Sequence, residues 1–186
     1  MKHIYLKTLD WKAIVLEPRV MGVIREEGGK MYMGEEKWYE ACEEFYEGFR
    51  GYQVRRHAHY NSLPCDSWFV CLISSVAPPQ EANDSRAKDA LKYMVLANML
   101  ALSDINPFAA HETKAFQEET EIMAMQMLRS AYEANDLASF ERTLEKKANH
   151  ILADPFIMEY VEPLRRRMLE KVILASSVLT SANKLL

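Results

Sequence analysis

Between Pro18 and Tyr52, glycine, alanine and aromatic residues recur at a spacing that two antiparallel helices can use. Gly29, Tyr32, Ala41, Phe45 and Gly48 stand at offsets of 3, 12, 16 and 19 from the first. A helix turns once every 3.6 residues, so positions 29 and 32 share one helical face and 41, 45 and 48 share another. Small residues on such faces let two backbones approach closely. Gly34 is expected to supply the turn between the helices. Glu35 and Glu36 are expected on the first turn of the second helix, where its dipole favours negative charge. Trp38, Cys42, Phe45 and Phe49 then form the stripe that this helix buries.

Residues Glu81 to Val172 read as helix by the same test. Asp84 or Ser85 can cap a helix running through Leu91, Met94, Val95, Leu96, Met99 and Leu100 to about Leu102. Asn106-Pro107 breaks the chain, and Ala109 to Thr120 reads as polar connection or weak helix. A helix over Glu121–Glu133 follows, with Ile122, Met125, Leu128 and Tyr132 among its apolar positions. Asn135-Asp136 marks a tight turn, after which Leu137, Phe140, Leu144, Ile151 and Leu152 are expected to face inward. Asp154-Pro155 is a cap followed by proline at the first helical position, a strong start signal. Pro163, inside the helix so opened, is expected to kink it or reset its start. The fold class implied is all-α, with paired antiparallel helices in layers.

The stretch 54–80 differs from both neighbours. Its 27 residues hold no Glu, Lys, Gly or Met, yet carry two of the three cysteines and three of the seven prolines. Trp68-Phe69-Val70-Cys71-Leu72-Ile73 is a continuous apolar run that favours strand or buried loop over amphipathic helix. His57-Ala58-His59, followed after seven residues by Ser67, starts the His-x-His-x7-Ser-x2-Asp pattern of zinc isopeptidases. Such a site needs the aspartate as third ligand. Val70 stands at that position and cannot coordinate, so chance histidines are the better account. The competing reading groups His57, His59, Cys65 and Cys71 as a metal site.

Elsewhere the inventory is empty of chemistry. Glu26-Glu27 and Glu43-Glu44 are adjacent carboxylates on helices, which do not face each other and read as solvated. Arg165-Arg166-Arg167 with Lys171 reads as a solvated basic face. Gly28-Gly29 lacks a phosphate-loop pattern, so helix–helix contact explains it better. Met94, Met99, Met123, Met125 and Met127 follow helical spacing as adaptable core or groove lining. The formal charge of −4 argues against non-specific nucleic-acid binding. No apolar run reaches the roughly 18 residues of a membrane span, and the N-terminus does not read as a signal peptide. An odd cysteine count without framework spacing fits a reducing compartment. No catalytic residue, cofactor or metal ligand is assigned.

The hairpin spacing is similar to tetratricopeptide-type repeats. Leu91-Lys92-Tyr93-Met94-Val95-Leu96-Ala97-Asn98-Met99-Leu100 and Ile105-Asn106-Pro107-Phe108 closely resemble the second-subunit family of the COP-nine signalosome. Matches continue through Glu121-Ile122-Met123, Ser130-Ala131-Tyr132, Asn135-Asp136, Phe140-Glu141 and Asp154-Pro155-Phe156-Ile157. Upstream, Met21-Gly22-Val23-Ile24-Arg25-Glu26 and Gly28-Gly29-Lys30-Met31 are also similar to it. The resemblance implies a PCI-domain scaffold subunit: a helical-repeat arm, a helical bundle, then a winged helix. It implies other PCI subunits as partners, cullin–RING ligase contact only indirectly, no membrane or nucleic acid, and residence in nucleus and cytoplasm. In the complex that this family belongs to, removal of the ubiquitin-like modifier from cullins belongs to another, zinc-bearing subunit. The related proteasome-lid subunit is the alternative, as is a non-functional truncated product.

Against that family the chain divides into helical repeats at 1–53, an irregular insert at 54–80, helical repeats entering the PCI bundle at 81–172, and a divergent tail at 173–186. The resemblance implies truncation at both ends, with the winged helix missing, and helix ends left uncovered to self-associate. Joining Tyr52-Gln53 directly to Glu81-Ala82 restores the family's short connection. Val54 requires a codon beginning GT and Gln80 permits CAG, so the insert is expected to be a retained intron; a lineage-specific loop is the alternative.

Overall fold

The computed structural model describes residues 5–6, 18–53, 85–146 and 149–182. The insert at 54–80, with His57, His59, Cys65 and Cys71, lies outside these residues, as does Asp84. Among the described residues no strand occurs, and the architecture is all-α. The helices are α1 (Pro18–Gly34), α2 (Trp38–Gln53), α3 (Ser85–Leu100), α4 (Thr120–Glu133), α5 (Leu137–Glu145) and α6 (Pro155–Ala182). The pair α1–α2 packs on α3, which in turn meets α4 and α6, while α5 closes on α4 and α6.

The hairpin spacing does what its residues allow. A Cβ on Gly29 would lie 2.6 Å from the Phe45 ring, and one on Gly51 would lie 2.9 Å from the Pro18 carbonyl oxygen. Phe45, Phe49 and Ala41 are fully buried, and Trp38 and Cys42 pack half-buried against the same core. Each phenylalanine so buried contributes about 1.5–3 kcal/mol.

The turn is built differently from the sequence reading. Gly34 is the last residue of α1, and Glu35-Glu36 make the reversal rather than the first turn of α2. Glu36 has φ 58°, its N–H donates to the Met33 carbonyl, and the Lys37 N–H reaches the Tyr32 carbonyl at 2.9 Å. Two further helices end the same way. Leu102 (φ 54°) follows α3 and Asn135 (φ 57°) follows α4, with the next N–H bonded to Asn98 and Ala131 respectively. This left-handed C-terminal motif satisfies carbonyls that the helix leaves without partners, and glycine is its usual residue. All three positions here carry side chains.

From Ala90 to Leu100, α3 is buried on every side. The break at Asn106-Pro107 holds: the Asn106 side chain accepts from the Phe108 N–H at 2.9 Å, and short 3-10 turns occupy Pro107–Ala109 and His111–Phe116. Phe116 is buried against Phe49, ring centroids 5.6 Å apart. Asp136 caps α5 by accepting from the Ser139 N–H, and Phe140 and Leu144 face inward. Ile151 is buried but Leu152 is not, because Ile151–Ala153 is a 3-10 turn rather than a continuation of α5. Asp154 accepts from the Phe156 N–H at 3.0 Å and opens α6 as expected. The helix does not restart at Pro163; it runs unbroken to Ala182, past position 173. Met94, Met99 and Met125 are core, whereas Met123 and Met127 are exposed.

Candidate functional site

Within α3, eleven successive buried positions from 90 to 100 include Lys92 and Asn98. A cation buried there must be paired, because an isolated charge in low dielectric is costly. Lys92 donates to Glu121 at 2.7 Å and lies 2.9 Å from Asp89 and 3.6 Å from Asp154. The Tyr93 hydroxyl donates to the same Asp154 carboxylate at 3.1 Å. Burial pulls the Lys92 pKa down, but Glu121 and Asp89 outweigh it and leave the group above the ordinary lysine value. In return Lys92 holds Glu121 below the usual carboxylate range. One side chain thus ties α3 to α4 and to the cap of α6.

Glu26 forms a second clasp, across the hairpin. It accepts from the Tyr52 hydroxyl at 2.6 Å and from Lys30 at 2.7 Å, and it is buried. The expected solvated face therefore holds only for the exposed Glu27 of that pair. Glu44 likewise takes Arg25 at 2.7 Å, leaving Glu43 exposed. A third clasp centres on Arg129 of α4, which is buried. It donates to Asn98 of α3 and, at 3.1 Å, to the Ile105 carbonyl, and pairs with Glu133 at 2.7 Å.

The basic run on α6 is not a uniform solvated face. Arg165 grips Glu141 of α5 through both Nε and Nη2, and also meets Glu162 at 2.6 Å. Lys171 donates to the Tyr132 carbonyl at 2.9 Å and sits 4.6 Å from that ring's centroid. Arg166 alone of the three arginines is exposed.

Rings connect the hairpin to α6. Phe45 meets Tyr93, Tyr93 meets Phe156 at 4.6 Å, Phe156 meets Tyr160, and Tyr160 meets Trp38 at 6.1 Å. Trp38 and Tyr160 line an open cleft of about 440 Å³ between the α1–α2 turn and α6. Met33, Leu100 and Pro163 complete its apolar wall, and Glu36, Glu159 and Arg166 stand at its rim. Such a cleft can hold an apolar side chain between charges of both signs. Among the described residues no group of His, Cys, Asp and Glu is arranged to hold a metal ion. The Cys42 thiol is pushed up to about 11 by burial and approaches the Met94 carbonyl oxygen at 3.8 Å.

Sequence periodicity missed Lys92, Glu26 and Arg129. A usable signal existed for Lys92, a lone charge inside a ten-residue stretch, 91–100, otherwise free of charge. A helix apolar on every face must be buried, and its one cation must then find acids.

No protein-family model matches the chain. The chain is 38% identical over 174 residues to "COP9 signalosome complex subunit 2" of Dictyostelium discoideum, covering 94% of this chain and 33% of that protein. It is 35% identical to the subunit of the same name in Schizosaccharomyces pombe, covering 94% of this chain and 34% of the relative. A "Probable 26S proteasome regulatory subunit rpn6" of Schizosaccharomyces pombe matches at 27% identity over 94 residues, half of this chain and 22% of that protein. The chain thus spans about a third of the length of the curated signalosome relatives it matches. Across nearly all of its own length, then, it is a relative of the COP9 signalosome subunit 2 family.

Proposed function

We propose that this chain is a non-catalytic scaffold segment of a signalosome-type assembly. The observation that carries the reading is similarity to COP9 signalosome subunit 2 over 94% of the chain. Polar contacts between helices support it, because Lys92–Glu121, Glu26–Tyr52, Arg129–Asn98 and Arg165–Glu141 each join one helix to another. Its partners are other PCI subunits, met through helix faces, with cullin–RING ligases reached indirectly in the removal of their ubiquitin-like modifier. Residence in nucleus and cytoplasm belongs to the same proposal. The chain itself performs no cleavage. The proteasome-lid alternative is not favoured, since that match is weaker and covers only half of the chain.

Affinity capture of the tagged chain followed by mass spectrometry tests this reading. Signalosome subunits in the eluate are expected; lid subunits, or neither set, would overturn it. Self-association is part of the same proposal, since Met158 and Leu169 stand 58% and 46% exposed on α6. Light scattering behind a sizing column is expected to show species larger than the 21.5 kDa monomer.

A further inference from the structure

Adjacent glycines in the middle of α1 do two different jobs. Gly29 admits Phe45 from inside the hairpin. Gly28 turns elsewhere: a Cβ built on it would lie 2.2 Å from Cζ of Tyr5 and 2.4 Å from its Cε2 and hydroxyl oxygen. Tyr5 thus rests on bare backbone and is only 8% exposed. Its ring meets Tyr32 edge to face, centroids 6.1 Å apart and planes at 88°. Glu44 and Arg25, which pair with each other at 2.7 Å, act electrostatically on its hydroxyl. Burial, then Glu44, push its pKa well above the ordinary tyrosine value. The notch therefore has a floor, an aromatic wall and a polar end, and a phenol fits all three.

We propose that the Gly28 face of α1 is a docking seat for a tyrosine side chain, and that its occupant is Tyr5 of the chain's own N-terminal arm. Two features support a seat over an incidental contact. Glycine inside a helix is unfavourable relative to alanine, so a helical Gly28 needs a local reason. The Arg25–Glu44 pair also bridges α1 and α2, so the seat exists only once the hairpin has closed. Docking of Tyr5 thereby reports on the folded hairpin, and it covers the face that Tyr32 and Gly28 share.

The test turns on a change of sign. Alanine favours helix over glycine, so Gly28→Ala alone should raise the melting temperature if nothing occupies the notch. With Tyr5 seated, the new methyl must evict the ring, and Gly28→Ala is expected to lower it by about 2–4 °C in a chain of this size. In a Tyr5→Ala background the same substitution is expected to raise it. Tyr5→Phe keeps the ring, so in that background Gly28→Ala is expected to lower the melting temperature as it does in wild type. Gly34→Ala, where a Cβ meets nothing within 4 Å, is expected to raise the melting temperature in both the wild-type and Tyr5→Ala backgrounds. Equal effects of Gly28→Ala in those two backgrounds would overturn the proposal.

Discussion

Lys92 Nζ lies 3.6 Å from the Asp154 carboxylate, which sets the buried cation of α3 against the residue that caps α6. Asp154 spends one oxygen on the first N–H groups of α6 and the other on Lys92 and Tyr93. Replacing Lys92 with methionine leaves three carboxylates facing one another with no cation between them. Lys92→Met is expected to cost about 3 kcal/mol in denaturant unfolding. Glu121→Gln, at a partner exposed on one side, is expected to cost less than about 1 kcal/mol. Equal losses for the two would show that the clasp is not centred on the lysine.

Gly29 and Gly34 lie five positions apart on α1 and should respond in opposite directions to the same change. Alanine at 29 drives a methyl into Phe45 and is expected to destabilise by about 1–3 kcal/mol. Alanine at 34 meets open space and is expected to stabilise by up to about 1 kcal/mol. Chemical denaturation of both variants checks the pair.

Leu102 adopts φ 54° at the end of α3 while half of its surface is exposed. A left-handed residue bearing a Cβ is strained by about 1–2 kcal/mol, and glycine removes that strain. Leu102→Gly is therefore expected to raise the unfolding midpoint, although it deletes an apolar side chain. A fall in the midpoint would mean that the Leu102 side chain contributes more than its backbone strain.

Acid and alkali should act on different groups. Glu121 is held below its ordinary value of 4.5, so its contribution is present above that pH and fades as pH falls through the lowered value. Lys92, Tyr52 and Tyr93 are all raised, so their contributions are complete at neutral pH. Those contributions are lost as pH climbs past the ordinary lysine and tyrosine values, near 10. Melting temperatures across pH are expected to show a plateau from about 5 to 9 with a decline on each side. Glu121→Gln should shallow the acid limb and, because Glu121 helps to raise Lys92, the lysine part of the alkaline limb as well.

How far the sequence reaches depends on whether a residue's role is local. The Gly29–Phe45 contact was legible because both partners sit at fixed helical offsets, and Asp154-Pro155 because a cap is satisfied within three residues. Glu35 and Glu36 were misread because the chain places a side chain where a left-handed turn normally takes glycine. Glu26 and Arg165 looked solvated because their partners, Tyr52 and Glu141, lie 26 and 24 residues away. Periodicity sees the face of one helix. Which other helix covers that face is decided by packing.

The all-round burial of α3 bears on how the protein comes apart. In a stack of independent helical pairs, each pair can melt while its neighbours persist. Here the hairpin on one flank and α4 and α6 on the other share a single helix as their inner wall. Loosening either flank bares residues that the other still needs dry. Unfolding should proceed as one event, with circular dichroism and hydrogen exchange at α2 and α4 giving coincident transitions.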